Sequence, residues 1–425
     1  MKILITGTTG ESMPPPYGGV PKVSLLYARE WKRMGHEVAI TFVYRPETPD
    51  DLGANAKYYF EFSQKPNALI KLIFLLRYAF ARPLLFAKLV SGYLKIYPRL
   101  KFEVFLYAAY GIYLDGVLKD FVPDLVLGEA TLIKSYMAAQ VAKLRGIPVV
   151  FDTYAEIHDQ GMGVNKWLNR QQQKKYWESF LSLGELTITI SNCCVGAQAY
   201  LPLEKVKVFY DTCDFSCFQV DVVERREQMR AQMSLPKDIF LVGTVGAFEH
   251  RKGHDHLIKA VALLVKKGCN VGAVICGGSG DETKWRELAI QEGVVDRIFF
   301  LKRISELELV TLHKSIDLYV NLSYTPRSCG LDLALLEGMA AAHPIIVYNY
   351  AGLPEAIPNG ENGILVPVND IPAVADAIQT ISQLSVEQRE YMGRMSREIA
   401  LKSDIRNTAV IKLGWFNDIL TQKHV

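Results

Sequence analysis

The sequence has no run of eighteen apolar residues, no CxxC pair, no Asp-x-Asp triplet, and no acidic residue between positions 62 and 102. The first absence argues against a membrane-spanning helix, because Lys71, Arg77, Arg82 and Lys88 interrupt the most hydrophobic region. The second, with an odd total of seven cysteines, argues against a disulfide framework or a zinc knuckle and points to a reduced, cytoplasmic protein. The third removes one acidic arrangement that could hold a metal. Charge of one sign is also scarce. A formal net charge of +3, with a pI of about 8.3, is too mild to indicate nucleic acid as a partner. The opening MKILITG reads as a buried strand entering a glycine turn, without the long apolar core of a signal peptide, so no export is expected.

What is present is a repeating α/β pattern. At 425 residues the chain exceeds what one hydrophobic core fills, so two domains are expected. Short Val/Ile/Leu runs alternate with helical periodicity: KILITG, residues 20–34, EVAITFV, DLVLGE, residues 132–144, IPVVFD and ELTITIS. The pattern restarts with FLVGTVG at 240–246 and continues through VGAVICGG, RIFFLKR, DLYVNLS, HPIIVYN and GILVPV. Such alternation predicts two doubly wound parallel sheets. The strand pattern lapses in CDFSCFQVDVVERREQ, which places a linker around residues 213–236. A ligand is expected in a cleft between the domains, at the carboxyl ends of the strands.

Residues 62–102 stand apart. Eight Lys or Arg residues lie there among many Leu, Phe, Ile and Tyr. Arg77, Lys88, Lys95 and Arg99 recur at intervals that return to one helix face, although Pro83 would interrupt a continuous helix. The combination suits a helix on a membrane surface, and equally a peripheral helix pair with solvated cations.

Several segments carry candidate chemistry. YGGV at 17–20, with Gly18 and Gly19, precedes the first helical pattern; it fits an anion-binding turn and equally a tight turn with no ligand. GAFEHRKGHDHLIKA follows a strand and leads into a helix, which brings Arg251 and Lys252 to the strand end, where a diphosphate could use both. The stretch from Leu331 to Ala340 is apolar except for Asp332, Gly338 and Glu337, and a buried carboxylate needs donors from the protein or from a ligand. FDTYAEIHDQ follows a strand of the first domain, so that Asp152, Tyr154, Glu156 and His158 all become candidates to face substrate.

These segments together resemble the retaining, family 4 glycosyltransferases (glycosyl transferases group 1). GAFEHRKG is similar to that family's G-R-L-x-x-E-K-G motif, and AGLPEAIPNGENGILVPVND to its G-x-P-E-x-x-x-x-G-x-N-G pattern. CGGSGDETKWRELAIQEGVVDRIFFLKRIS resembles the nucleotide-base region, ending near Arg303 and Ile304, and VKVFYDTCDFSCF resembles the linker. YTPRSCGLDLALLEGMA resembles the Glu-x7-Glu motif, with Glu337 in the place of the glutamate that holds the ribose hydroxyls. The resemblance implies the GT-B fold: an acceptor-side domain over 1–213, a nucleotide-sugar domain over 214–404, and a C-terminal helix over 405–425 that packs back on the first. It implies that Gly18, Gly19, Arg251, Lys252, Arg303, Ile304, Arg327, Cys329, Gly330, Leu331, Leu333 and Glu337 line the donor. Lys252, Tyr154, His158 and Asp332 are the catalytic candidates, with Tyr154 and His158 as alternatives for contacting the transferred sugar. The chain departs from the pattern at Cys329, where the family has its first glutamate, at Asp332, where glycine is common, and at Ala247, where the family has arginine.

The implied activity is transfer of a hexose, glucose first, from a UDP-sugar to a polysaccharide or lipid-linked glycan. GDP-mannose is the alternative donor, and the resemblance implies that neither a metal nor a cofactor is needed. A non-catalytic nucleotide- or glycan-binding partner is a second reading, prompted by Ala247 and Cys329, and a UDP-sugar epimerase is a third that the Glu337 motif disfavours. The expected partners are the nucleotide sugar, the glycan acceptor and a membrane surface at 62–102, with the protein peripheral on the inner face of the plasma membrane.

Overall fold

Branched apolar runs that are buried on both faces form parallel strands, and the segments between them fold as helices laid on the sheets. The computed structural model describes residues 1–7, 19–44, 56–63, 66–96, 101–129, 133–153, 170–191, 197–210, 212–218, 226–278, 280–302, 304–324 and 331–422. The chain divides into two units, Met1–Tyr210 with Thr408–Val425, and Asp211–Asn407.

The first unit contains β1 (Lys2–Thr6), α1 (Gly19–Arg33), β2 (Glu37–Tyr44), β3 (Lys57–Phe62), α2 (Ala68–Ala81), α3 (Pro83–Ile96) and α4 (Phe102–Phe121). It continues with β4 (Leu125–Glu129), α5 (Ile133–Leu144), β5 (Val149–Thr153), α6 (Arg170–Leu181), β6 (Leu186–Thr189) and β7 (Val206–Val208). Its seven strands run parallel in the order β3-β2-β1-β4-β5-β6-β7. The order reverses between β1 and β4, the switch point of a doubly wound sheet. The core joins Leu4, Val126 and Phe151 of the strands to Leu114, Leu118 and Met137 of α4 and α5. β3 is an edge strand, KYYFEF, and most of its residues are half-buried.

In the second unit, α7 (Arg226–Gln232), β8 (Phe240–Val245), α8 (His254–Lys266), β9 (Val271–Gly277), α9 (Thr283–Gln291), β10 (Ile298–Lys302) and α10 (Glu306–Ser315) come first. β11 (Leu318–Asn321), α11 (Leu333–Ala340), β12 (Ile345–Tyr348), β13 (Gly363–Val366), α12 (Ile371–Gln383) and α13 (Val386–Leu401) complete it, before α14 (Ile405–Gln422) returns the chain to the first unit. The six strands are parallel in the order β10-β9-β8-β11-β12-β13, with the reversal between β8 and β11. Ser305 with Glu308, and Ser385 with Gln388, close capping boxes that set the starts of α10 and α13.

One expectation is corrected. Within the stretch expected to be a linker, Cys213 bridges to Asp404 and α7 packs on α10, both inside the second unit. The interruption expected at Pro83 is present: the chain breaks at Arg82 and Pro83 opens α3, so Arg77 lies on α2 and Lys88 and Lys95 lie on α3. Arg99 lies outside the described residues. Among the described residues no helix is long and apolar enough to cross a membrane.

α14 is held by buried contacts inside the first unit. Trp31 Nε1 donates to the Ala409 carbonyl at 3.2 Å, and the Trp31 ring meets Phe416 edge-on at 5.7 Å. Lys412, almost fully buried, pairs with Asp152 and places its Nζ 4.1 Å from the centre of the Tyr27 ring.

Candidate functional site

The second sheet's switch point is assembled from two strand ends. β8 ends at Val245 and leads through Ala247 into a single 3-10 turn, His250–Lys252. The next residue, Gly253, is left-handed at φ 69°, and a Cβ there would lie 2.4 Å from the Leu322 carbonyl oxygen, so only glycine lets this turn close against the end of β11. β11 in turn leads toward α11, whose N-cap is Asp332.

Lys252 and Asp332 meet there, with Nζ 2.9 Å from Oδ2. The other carboxylate oxygen, Oδ1, accepts from Leu335 N at 2.9 Å and from Asn321 Nδ2 at 3.0 Å. Asp332 is therefore at once a helix cap and the partner of the lysine. Burial alone would raise its carboxyl, but the Lys252 ammonium and the Leu335 and Asn321 donors outweigh burial and hold it below the usual carboxylate range. Both side chains keep some access to solvent, 16% for Lys252 and 32% for Asp332.

One turn further along α11, Glu337 is buried at 7% exposure, and it engages another group within the chain. Its neighbour Gly338 packs directly on Tyr319 of β11, where a Cβ would lie 2.5 Å from the ring, and this close approach holds α11 against the sheet. Burial, and then the Glu337 and Glu308 charges, push the Cys276 thiol up to about 12, so it is an unreactive wall residue. Leu331 is buried, Leu333 is half-buried, and Ile304 is half-buried just ahead of α10.

Other candidates are placed differently. Arg251 pairs with Glu249 two residues before it. Asp152, expected to face substrate, is instead 1% exposed at the end of β5 and committed to Lys412. Gly19 opens α1. Gly18, Tyr154, His158, Arg303, Arg327, Cys329 and Gly330 lie outside the described residues.

The structure adds residues that the motifs did not mark. Asn321, the last residue of β11, orients Asp332. A polar side chain closing the run LYVN was the available signal. His254, 1% exposed, has its Nε2 3.0 Å from the Ala247 carbonyl, and burial lowers its pKa to about 4, so it stays neutral and donates. The position where the family has arginine thus uses its backbone oxygen to fix the turn.

At the first sheet's switch point, Gly7 is left-handed at φ 90°, and a Cβ on it would lie 2.6 Å from the Glu129 carbonyl oxygen. Ser24 Oγ donates to Glu129 at 2.5 Å, and Thr6 Oγ1 lies 2.8 Å from Tyr110 OH. Lys134 pairs with Glu61 beside them. This end of the sheet is polar and hydrogen-bonded, as the floor of a hydroxyl-rich ligand site would be.

The family model described as Glycosyl transferases group 1 matches residues 225–399, the part of the chain that builds the Lys252–Asp332 site. Residues 225–399 belong to the group 1 glycosyl transferases. The D-inositol 3-phosphate glycosyltransferase of Corynebacterium glutamicum (strain R) is 29% identical over 228 residues, 52% of this chain and 54% of that protein. The chain spans about half the length of the curated relatives it matches first. Among solved structures, a glycosyltransferase from Rickettsia africae ESF-5 superposes with a TM-score of 0.75 at 16% identity, over 99% of this chain and 98% of that one. Anabaena HepE, solved in complex with UDP-glucose, gives 0.70 at 17% identity over 97% and 99%. These likenesses show the fold, which is the GT-B pairing of two doubly wound units. The group 1 segment thus coincides with the second unit, where Lys252, Asp332 and Glu337 are brought to one switch point.

Proposed function

We propose that the chain is a retaining glycosyltransferase that moves a hexose, glucose first, from a UDP-sugar to a polysaccharide or a lipid-linked glycan. The observation that carries this reading is the meeting of Lys252 with the start of α11, two turns ahead of the last α11 residues and one turn ahead of buried Glu337, inside the group 1 segment. Lys252 supplies a positive charge for the diphosphate, and Glu337 accepts from ribose hydroxyls. Arg251 exchanges Glu249 for phosphate as a second cation. HepE, of the same fold, takes UDP-glucose, which supports a uridine donor. By the family resemblance the first unit takes the acceptor, and Tyr154 and His158, which follow β5 in the sequence, are the alternatives for contacting the transferred sugar. A lipid-linked acceptor would be met on the inner face of the plasma membrane.

In the reaction, the bond between the anomeric carbon and the diphosphate oxygen breaks, and the acceptor hydroxyl attacks from the face that the diphosphate leaves. A leaving oxygen takes the hydroxyl proton, so neither a metal nor a separate strong base is required. Lys252 stabilises the charge that grows on the leaving group.

Purified protein incubated with UDP-glucose, UDP-galactose, UDP-N-acetylglucosamine and GDP-mannose, with released nucleotide measured, tests this. Release from UDP-glucose is expected; release from GDP-mannose alone makes the protein a mannosyltransferase. A second reading has an observation of its own, since Asp332 already occupies the motif lysine and Ala247 removes a cation. UDP binding without turnover of any donor would identify a non-catalytic nucleotide-binding partner.

A further inference from the structure

α2 and α3 both pack on α4 and turn their other faces outward. On α2 the outward face is apolar along its length. Leu69, Leu72, Ile73, Leu76 and Phe80 recur at helical spacing and are 64%, 41%, 57%, 45% and 80% exposed, while Phe74 and Leu75 on the opposite side are buried. Leu84, the second residue of α3, is 88% exposed. A soluble surface scatters such residues singly, whereas a continuous stripe marks a contact surface. The α3 face that begins at Leu84 continues with exposed Lys88 and Lys95, and exposed Arg77 flanks the α2 stripe. No Asp or Glu occurs from 62 to 102 to neutralise them.

We propose that the outer face of α2 and α3 docks on an anionic lipid bilayer, with the α2 stripe and Leu84 entering the acyl boundary and Arg77, Lys88 and Lys95 at the phosphates. Charge decides the occupant. A second copy of the chain would set cations against cations, whereas anionic headgroups neutralise all of them while the apolar stripe leaves water. The biological purpose of this docking rests on the lipid-linked acceptor proposed above; the surface itself rests on these residues.

The full chain is sedimented with phosphatidylcholine vesicles, with and without phosphatidylglycerol, at low and at high salt. Two variants accompany it: Arg77→Gln/Lys88→Gln/Lys95→Gln, and Ile73→Ser/Phe80→Ser/Leu84→Ser, all at exposed positions. Wild type should pellet with the anionic vesicles and be released by salt. The charge variant should partition roughly a hundredfold more weakly. The apolar variant should lose most of its binding even at low salt. Equal pelleting of all three proteins, or no pelleting of wild type, overturns the proposal. So does a wild-type dimer that the apolar variant dissolves while neither protein binds vesicles, because the second copy is then the occupant. UDP affinity measured on the same samples without lipid should be equal in all three. Its absence alongside normal vesicle binding would sink the donor reading and leave the surface standing.

Discussion

Replacing Asp332 by Asn isolates what the Lys252 pair does to donor binding. The amide keeps an oxygen to accept from Leu335 N and Asn321 Nδ2, so the cap of α11 survives, and only the charge facing Lys252 is lost. At 2.9 Å and partly solvated, the pair contributes about 1–2 kcal/mol, well below a bare Coulomb figure at that distance. If the diphosphate uses Lys252, that amount opposes donor binding in the wild type, because phosphate must displace or share the carboxylate. UDP should therefore bind Asp332→Asn roughly five- to thirtyfold more tightly, while the melting temperature of the free protein falls by about 2–8 °C. Calorimetry on wild type, Asp332→Asn, Lys252→Ala and the double variant gives the coupling directly. The gain should shrink once Lys252 is absent, leaving only relief of direct repulsion. Unchanged or weaker UDP binding by a well-folded Asp332→Asn, or full additivity in the cycle, would show that Lys252 is not the diphosphate cation.

Further outcomes follow from the same residues. Lys252→Ala should slow donor turnover about thirty- to a thousandfold in steady-state nucleotide release, and near wild-type rates would transfer the role to Arg251 or Arg327. Glu337→Gln should weaken UDP about tenfold by calorimetry; unchanged affinity with a lowered melting temperature would make Glu337 a structural carboxylate. Lys412→Met should cost about 3–5 kcal/mol in denaturant unfolding by leaving the Asp152 charge buried alone, and Lys412→Met/Asp152→Leu should recover most of it. Burial lowers His254 to about 4 from 6.5, so its contribution is complete above pH 6.5 and is lost as pH falls toward 4, about 3 kcal/mol in all. Unfolding of His254→Gln should be flatter over that window than wild type, and parallel profiles would refute the assignment.

The strands that the sequence revealed are those with apolar runs, whether buried over their whole surface or, like β10 and β13, partly exposed at a sheet edge. KILIT and VVFDT need Val, Ile or Leu on both faces, so they read as apolar runs wherever they occur. β3 escaped because an edge strand needs burial on only part of its surface, and KYYFEF carries a charge at Lys57 and another at Glu61. The stretch after Cys213 read as a linker because a bridge to Asp404 and short helices leave no periodic trace. In the site, Lys252 and Glu337 were legible through motifs whose spacing is local. Their engagements were not. Asp152 and Lys412 are 260 positions apart, and each alone looks like an exposed charge; only the return of α14 to the first unit makes them a buried pair.

The departures from the family pattern gain meaning when their charges are added. Ala247 in place of arginine removes one positive charge and Asp332 in place of glycine adds a negative one, while Cys329 in place of glutamate and Arg251 at the glutamate of G-R-L-x-x-E-K-G offset both, so it is the arrangement of charge and not its sum that departs from the motif. In the structure His254, kept neutral by burial, ties the Ala247 carbonyl, and Asp332 holds the motif lysine at 2.9 Å. A site in this state attracts a bare phosphate poorly, since any anion must first compete with a carboxylate already in place. If Glu337 accepts from ribose hydroxyls as proposed, that phosphate-independent contact carries a larger share of UDP affinity. Tighter UDP binding in Asp332→Asn, accompanied by slower release of product nucleotide, is the combination this arrangement implies. An enzyme whose lysine was simply idle would show neither.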